Sequence, residues 1–199
     1  KNIQQFWQEN PCGETLIDAD YHKDLQFFDD FDEMRYRSHN HLLGCLDSIP
    51  FSGQKVLEIG IGQGADAEQI GRRGGQYTGL DLTAEAVSRV KQRFALKKLS
   101  ADDVVQGSIL KAPFQDNQFD IVFSHGVLHH VPDILTAQRE ICRILKPNGL
   151  LVVMLYARHS LNYHLSIRLL RRVGLTLAYF SGRSFGGKLG RHLELAKDT

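Results

Sequence analysis

Short apolar segments alternate with helical patterns of polar and apolar positions between about residues 54 and 157. The first apolar segment, for example, is followed by a helical pattern over Ala65–Arg73. This alternation is typical of βαβ units, in which parallel strands are covered by helices on both faces of the sheet. It predicts an α/β fold with a doubly wound, Rossmann-like, mostly parallel sheet. The predicted strands are Lys55–Ile59, Tyr77–Leu80, Asp103–Gln106, Phe119–Phe123 and Leu150–Leu155.

Capping and breaking residues mark two further helices of this segment. Thr83 is a suitable N-cap for a helix that reaches about Leu96. Pro132 suits the first turn of the next helix, which is predicted to run to Lys146. The turn-forming sequence Pro147-Asn148-Gly149 is predicted to end that helix before the last strand.

Two segments flank this predicted core. Residues 1–50 are acidic and aromatic, and they are predicted to form an N-terminal helical or lid segment that includes a helix over Met34–Ile49. Residues 51–157 form the predicted α/β core. Residues 158–199 are predicted to contain an amphipathic helix over Ser160–Arg172 and a mobile, glycine-rich tail.

Composition narrows the class of protein. The chain has 199 residues, 42% of them hydrophobic and 24% charged, as expected for a globular domain, and no apolar run approaches the length of a membrane span. The three cysteines form no CxxC pair, which favours a reducing, cytoplasmic location. Residues 158–199 carry eight basic and two acidic side chains. This charge leaves peripheral contact with a membrane surface open, whereas nucleic-acid binding is not favoured.

A glycine turn follows the first predicted strand. The apolar segment leads through Glu58 into Gly60, Gly62 and Gly64, and a helix begins at the next residue. Glycine adopts backbone angles that other residues avoid and lets a ligand approach the main chain closely. Open α/β sheets bind ligands beyond the strand ends, where this turn would lie. The alternative is a tight strand-to-helix turn that binds nothing.

A carboxylate ends the second predicted strand. Asp81 lies 17 residues beyond Gly64, where it can accept hydrogen bonds from both hydroxyls of a ribose. Hydrogen bonds to a charged group are worth about 1.5–3 kcal/mol each. The alternative role for Asp81 is to cap the helix that begins near Thr83. Together, the glycine turn and Asp81 predict an adenosine-containing cofactor.

The glycine turn also fits the permissive dinucleotide pattern, so a nicotinamide cofactor is an alternative. Glu58 argues against it, because a carboxylate two residues before the first glycine would repel a pyrophosphate. The same carboxylate suits a cofactor that carries an ammonium and a sulfonium. Gly64 adds backbone freedom beyond what the dinucleotide turn needs.

Five motifs, in the same order as in the family, resemble those of class I S-adenosylmethionine-dependent methyltransferases. The resemblance is strongest to the small-molecule group that includes ubiquinone- and menaquinone-biosynthesis-like enzymes, and it covers about residues 54–157. It implies S-adenosyl-L-methionine as cofactor, S-adenosyl-L-homocysteine as product and a small-molecule acceptor. The motifs are VLEIGIGQG (Val56–Gly64), GLDLT (Gly79–Thr83), VVQGSILKAPF (Val104–Phe114), FDIVFSHGVLHHVPD (Phe119–Asp133) and ILKPNGLLVV (Ile144–Val153).

The resemblance implies a role for each residue at a matching position. Many family members carry an aspartate where this chain has Ser108, so a bond from Ser108 to the adenine would lack a charge. The implied cofactor contacts are Glu58, Gly60, Gly62 and Gly64 at the methionine end and ribose, Asp81 at the ribose hydroxyls, Leu82, Ser108 and Ile109 at the adenine, and Ser124 and His125 beside the fourth strand.

Three histidines after the fourth predicted strand are candidates for a general base. A neutral imidazole accepts protons near physiological pH, and His125 is the preferred candidate. His129 and His130 are the others, although family members commonly carry LHH here, which indicates a role in shaping the turn. No third ligand accompanies the His39-x-His41 pair, so no metal is predicted.

Substrate specificity in the family comes from segments outside the core. A group of aromatic and polar residues in segment 1–50 either forms a lid that excludes water or covers the sheet. The group comprises Tyr21, His22, Phe27, Phe28, Phe31, Arg35 and Tyr36. The family's sheet usually ends in an antiparallel hairpin, and no convincing pair of strands follows residue 157. Either the sequence is a fragment of a longer chain or its tail departs from the family. A fragment is predicted, and its exposed sheet edge would favour a homodimer.

Three functional hypotheses follow. The first is a methyltransferase that transfers a methyl group to a small molecule by in-line displacement, for which the protein mainly orients the reactants. The second is an NAD(P)-dependent oxidoreductase, and the third is a non-catalytic cofactor-binding module.

Overall fold

The computed structural model describes residues 3–9 and 24–156. The elements described belong to the first of two units of the chain, Lys1–Leu155. In chain order they are α1 (Ile3–Glu9), α2 (Leu25–Ser38), α3 (His41–Asp47), β1 (Lys55–Ile59), α4 (Ala65–Arg72), β2 (Gln76–Asp81), α5 (Ala84–Lys97), β3 (Asp103–Gln106), β4 (Phe119–His125), α6 (Ile134–Ile144) and β5 (Leu145–Met154). Two short 3₁₀ turns, Ile109–Lys111 and Leu128–His130, flank β4.

The five described strands form one parallel sheet in the order β3-β2-β1-β4-β5. Strands β2 and β4 pair with opposite sides of β1, so the chain direction across the sheet reverses there. A doubly wound sheet opens a crevice at such a point, beyond the carboxyl ends of the strands. The predicted α/β fold with a doubly wound, mostly parallel sheet is confirmed.

Alternate strand residues supply two separate hydrophobic cores. Val56 of β1 and Tyr77 of β2 belong to the core on one face, beneath α4 and α5. Leu57 of β1 and Leu80 of β2 belong to the core on the other face, beneath α6. The near-continuous apolar runs in the sequence follow from this arrangement, because a parallel strand covered on both faces buries every side chain.

The first five elements of the core agree with their predicted positions. Thr83 is the N-cap of α5, and its hydroxyl accepts a hydrogen bond from the main-chain N–H of Ala86 at 3.3 Å. Strands β1 and β3 have the predicted bounds, and β2 and β4 extend slightly beyond theirs.

The predicted helix over Met34–Ile49 is wrong. The structure has two helices instead, α2 ending at Ser38 and α3 beginning at His41. The break occurs at His39, whose φ of −129° and ψ of 56° are not helical. Leu42 and Leu46 of α3 are buried in the core beneath α4 and α5, so burial of a short second helix accounts for the change of direction.

The predicted limits of the last helix are also wrong at both ends. Pro132 precedes the helix rather than opening it, because the side chain of Asp133 is the N-cap and accepts from the main-chain N–H of Thr136 at 3.0 Å. The helix ends at Ile144, since Leu145 is already extended and pairs with Phe119 of β4. The Pro147-Asn148-Gly149 turn therefore lies within an irregular start of β5, not at a helix end.

A buried ionic network attaches α2 to the core. Arg93 of α5 is fully buried and pairs with Asp32 of α2 and with Glu68 of α4, the latter at 2.7 Å. The guanidinium of Arg93 also lies over the ring of Phe28, 5.2 Å from its centroid. Phe27 and Phe28 are buried against α5 and thus cover the core.

Several predictions fall on residues that the structure does not describe. They are Tyr21 and His22 of the lid group, the helix over Ser160–Arg172, the glycine-rich tail and the expected lack of a C-terminal hairpin. Within the residues described, no helix combines the length and hydropathy needed to cross a membrane.

Candidate functional site

A cavity of about 390 Å³ lies at the carboxyl ends of β1, β2 and β4. Its volume falls within the range of small-molecule and cofactor sites. The cavity brings together eight of the ten residues that the resemblance implied as cofactor contacts. These are Glu58, Gly60, Gly62, Asp81, Leu82, Ser108, Ile109 and His125.

The glycine turn places bare main chain on one wall of the cavity. Gly60 and Gly62 have φ values of 79° and 50°, in the left-handed region that other residues seldom adopt. The main-chain N–H of Gly60 donates to the carbonyl of Leu80 at 2.8 Å, which ties the turn to β2. A Cβ atom on Gly60 would lie 2.2 Å from a methyl group of Val127. Conformation and packing therefore both require glycine at this position.

Asp81 supports the turn as well as facing the cavity. One carboxylate oxygen accepts from the main-chain N–H of Ile61 at 3.0 Å, between the two cavity-lining glycines. The other accepts from the N–H and hydroxyl of Thr83, both at 2.8 Å. The capping alternative is thus present in the structure. It does not exclude ligand binding, because each carboxylate oxygen can accept more than one hydrogen bond.

Glu58 is buried beneath the cavity with its carboxyl group bonded to a tyrosine. The hydroxyl of Tyr77 donates to Glu58 at 2.7 Å. Burial, and next the negative charge of Asp66, raise the pKa of Glu58 well above the usual value for a glutamate. The folded chain therefore protonates Glu58 more readily than an ordinary glutamate, which the sequence alone does not indicate.

Two residues implied as cofactor contacts lie outside the cavity lining. A Cβ atom on Gly64 would meet Val90 at 2.9 Å and Arg93 at 3.2 Å, so this glycine allows α4 to approach α5. The hydroxyl of Ser124 is buried and donates to the carbonyl of Ile59 at 3.1 Å. Both residues shape the site from behind, and the geometry gives neither a direct ligand contact.

The residues that the resemblance implies as adenine contacts lie just beyond the ends of β2 and β3. Ser108 caps the 3₁₀ turn that follows β3, and its hydroxyl accepts from the N–H of Leu110 at 3.2 Å. Ile109 is buried beside it. The carbonyl of Leu82 accepts from the side-chain amide of Gln4 in α1 at 3.0 Å. The N-terminal helix thus reaches the rim of the cavity.

Helix α1 forms part of the cavity wall, which the sequence pattern does not predict. Ile3, Gln4 and Trp7 line the cavity, and the ring of Trp7 meets that of His130 edge-on at 5.2 Å. His130 in turn lies 4.1 Å from His129, centroid to centroid. Burial lowers the pKa of both histidines. The amphipathic signal of a seven-residue helix is short, so only the tertiary structure reveals this wall.

An ionic cluster from three elements that are distant in sequence also lines the cavity. Arg35 of α2 donates to both oxygens of Asp66 in α4, at 3.3 and 2.5 Å. Nδ1 of His125, at the end of β4, lies 3.0 Å from Asp66 and 2.7 Å from Arg35. Burial opposes ionisation of Asp66, but the hydrogen bond with His125 and the charge of Arg35 outweigh it and lower the pKa of that carboxyl. Within the described chain, no three potential ligands are grouped as a metal site.

Sequence comparisons identify the domain to which this cavity belongs. Residues 57–153 match the family model described as a methyltransferase domain. That range contains the glycine turn, Asp81 and the end of β4. This part of the chain is a class I methyltransferase domain.

Known relatives of the methyltransferase domain act on different acceptors, according to their names. A sterol 24-C-methyltransferase from Gibberella zeae is 35% identical over 123 residues, covering 60% of this chain and 32% of the relative. A demethylmenaquinone methyltransferase from Staphylococcus epidermidis is 37% identical over 106 residues, covering 51% of this chain and 43% of the relative. The crystal structure of the YcgJ protein from Bacillus subtilis is 30% identical, with a TM-score of 0.53 and coverage of 58% and 50%. The chain thus spans less than half the length of these two curated relatives.

Proposed function

We propose that this chain is an S-adenosyl-L-methionine-dependent methyltransferase that acts on a small molecule. The observation that carries the proposal is the joint placement of Gly60, Gly62 and Asp81 around one cavity at the point where the sheet reverses direction. Bare main chain and a carboxylate at the end of the second strand suit an adenosine. The nicotinamide alternative is not favoured by the family match.

The charges around the cavity support a cationic cofactor over a dinucleotide. Four carboxylates line it: Glu58, Asp66, Asp81 and Glu85. Both lining arginines are already paired, Arg35 with Asp66 at 2.5 Å and Arg89 with Glu85 at 2.7 Å. The charge of Asp81 is not compensated by either arginine, which opposes a pyrophosphate and favours an ammonium and a sulfonium.

The residues present fit this cofactor. Asp81 would accept the ribose hydroxyls, Leu82 and Ile109 would enclose the adenine, and Glu58 would lie toward the methionine end. The bound cofactor supplies a methyl group already activated by the sulfonium. The protein then has to orient the acceptor, exclude water and remove a proton where the acceptor carries one.

We propose an apolar acceptor that enters beside α1. Ile3 and Trp7 of α1 lie on the cavity wall together with Val131 and Pro132. Their apolar side chains suit the body of a hydrophobic ligand. The names of the relatives, a sterol and a demethylmenaquinone methyltransferase, support the same class. Phe31 and Arg35 also line the cavity, which supports the lid role for this part of segment 1–50.

Calorimetric titration tests the proposed function. We expect S-adenosyl-L-homocysteine to bind and NADH not to bind. Trp7 is the only tryptophan of the chain and lines the cavity, so its fluorescence should change during the same titration. Binding of NADH with no binding of the thioether would overturn the proposal. Tight thioether binding without methyl transfer to any acceptor in a broad screen would favour the non-catalytic module.

Glu58→Gln is expected to stabilise the ligand-free protein. A carboxyl group whose pKa is raised by folding binds more protons in the folded state, so folding stability falls as pH rises above the ordinary glutamate value. The amide has no such penalty and can still accept from Tyr77. The melting temperature of the variant should therefore exceed that of the parent at pH 8, and the difference should shrink toward pH 4. Glu33→Gln, at an exposed position of α2, is the control and should change little.

The same variant should bind the cofactor more weakly, because the amide cannot ionise to match an ammonium. If the variant is more stable but binds the cofactor more weakly, Glu58 lowers the stability of the protein and serves cofactor binding. Equal melting curves for variant and parent at pH 8 would contradict the raised pKa.

The remaining predictions depend on parts of the chain outside the cavity. A homodimer is favoured by β5, the edge strand of the sheet in the described residues, whose Leu150 and Leu151 are exposed. Peripheral membrane contact through the basic C-terminal helix, a cytoplasmic location and the division into segments 1–50, 51–157 and 158–199 stay predictions.

A further inference from the structure

Three atoms in the ionic cluster lie within hydrogen-bond distance of one another. They are Nη2 of Arg35, Oδ2 of Asp66 and Nδ1 of His125, separated by 2.5, 3.0 and 2.7 Å. The guanidinium nitrogen can only donate, and an ionised carboxylate oxygen can only accept. The imidazole nitrogen donates if it carries a proton and accepts if it does not. It therefore cannot bond to both partners at once.

Two arrangements of a neutral His125 follow from this conflict. In the first, Nδ1 carries the proton and donates to Asp66, which leaves Nε2 with a lone pair. In the second, Nδ1 accepts from Arg35, and Nε2 carries the proton. Among the described residues, Nε2 has no hydrogen-bond partner, and His125 lines the cavity. The partner that Nδ1 takes therefore decides whether the cavity meets a proton acceptor or a proton donor.

The geometry favours the bond to Asp66. Arg35 keeps its two bonds to Asp66 in either arrangement, so it loses little when Nδ1 does not accept from it. In the second arrangement, the lone pair of Nδ1 would face an ionised oxygen of Asp66 at 3.0 Å. A bond of Nδ1 to either partner is charge-assisted, so the repulsion between the lone pair and the carboxylate decides against the second arrangement.

Neither partner can easily move away. The side chains of Asp66, His125 and Arg35 are 5%, 11% and 20% exposed. The hydroxyl of Tyr36, next to Arg35, donates to the carbonyl of Ala65, next to Asp66, at 3.1 Å. A further hydrogen bond therefore joins α2 and α4 beside the cluster.

We propose that Asp66 is a positioning residue that fixes the Nδ1–H tautomer of His125 against the competing partner Arg35. In this tautomer, Nε2 of His125 can take a proton from the substrate that receives the methyl group. The inference rests on the proposed methyltransferase function. It adds a substrate class, namely methyl acceptors whose nucleophilic oxygen or nitrogen carries a proton. The proton leaves that atom for Nε2, and its bonding pair stays on the nucleophile. Asp66 remains ionised and stabilises the imidazolium that forms.

Nitrogen-15 NMR of the ligand-free protein tests the tautomer directly. Spectra at about pH 9, where histidines are generally neutral, distinguish a protonated Nδ1 from a protonated Nε2. The chain has nine histidines, so His125→Gln assigns the signal by its loss. We expect the Nδ1–H form to be the major one in the parent protein. A major Nε2–H form in the parent would overturn the proposal without any variant.

Two variants should have opposite consequences. In Asp66→Asn the carboxylate is lost while Arg35 remains, so the major form of His125 should change to Nε2–H. In Arg35→Met the competing donor is lost, and the Nδ1–H form should persist. The tautomer of His130, which has no carboxylate partner among the described residues, is the internal control and should not change in either variant. Persistence of Nδ1–H in Asp66→Asn, or its loss in Arg35→Met, would contradict the assignment.

This experiment is independent of the cofactor. If S-adenosyl-L-homocysteine fails to bind while the tautomers behave as expected, the proposed function fails and the positioning role of Asp66 stands. If the thioether binds and the parent shows the Nε2–H form, the function stands and His125 is not positioned as a base.

Discussion

Asp81→Ala is expected to weaken binding of S-adenosyl-L-homocysteine by roughly a hundredfold. The substitution removes the acceptor for the ribose hydroxyls, and each bond to a charged group is worth about 1.5–3 kcal/mol, with about 1.4 kcal/mol for each factor of ten. It also releases the N–H of Ile61, which Asp81 holds at 3.0 Å, so the glycine turn loses order. Calorimetric titration of the variant measures the change in affinity.

Asp133→Ala is a matched control for this measurement. Asp133 accepts from the N–H and hydroxyl of Thr136 in the first turn of α6, as Asp81 does from Thr83. It does not line the cavity. Its loss should therefore lower stability slightly and leave affinity unchanged. Equal affinities of Asp81→Ala and the parent protein would assign Asp81 to capping alone.

Arg93→Met is expected to lower the free energy of unfolding by about 3–5 kcal/mol. The substitution retains most of the apolar volume but removes the ion-pair partner of Asp32 and one of the cations that pair with Glu68, and breaking a buried pair typically costs this much. Arg93 also donates to the carbonyl of Gln63 at 3.3 Å, so the end of the glycine turn loses support. Urea denaturation followed by circular dichroism gives the difference.

The effect should depend on pH in a defined direction. Burial raises the pKa of Asp32 even with Arg93 present, and the removal of Arg93 takes away its two leading opposing influences. Burial also opposes ionisation of Glu68. The charge of Arg93, and hydrogen bonds from Arg72 and Arg93 to Glu68, outweigh it and lower the pKa of that carboxyl. In the variant both groups therefore bind protons more readily, so its loss of stability should be smaller at pH 5 than at pH 8.

Arg73→Met provides the comparison for an exposed pair. Arg73 bonds to Asp47 at 2.6 Å, and the aspartate side chain is 67% exposed. Such surface pairs contribute about 0–1 kcal/mol. A loss in Arg93→Met no larger than in Arg73→Met would show that α2 is held mainly by its aromatic side chains rather than by the ionic network.

The elements with strong local signals could be predicted closely. Strand β1 and the cap of α5 depend on neighbouring residues, an apolar run before a glycine turn and a threonine before a helical pattern. The division between α2 and α3 could not be predicted in this way. The pattern of apolar positions continues across His39, and only burial of Leu42 and Leu46 against the core explains the break.

The candidate site likewise has some features that local sequence predicts and others that it does not. The sequence by itself determined the glycine turn, Asp81 and the sheet edge they share, because strand order and backbone conformation follow from local pattern and chain connectivity. It could not separate Gly60, which lines the cavity, from Gly64, which packs against α5, since both lie in one motif.

Only the tertiary structure brought Arg35, Asp66 and His125 together. The three residues are separated by 31 and 59 positions along the chain and lie on three different elements. Each side chain is unremarkable in its own segment, and the conflict over Nδ1 exists only because packing of α2 and α4 against β4 fixes three polar atoms at mutual hydrogen-bond distance. The spacing of these residues along the chain does not predict the distances between their polar atoms, because those distances depend on how the helices pack on the sheet.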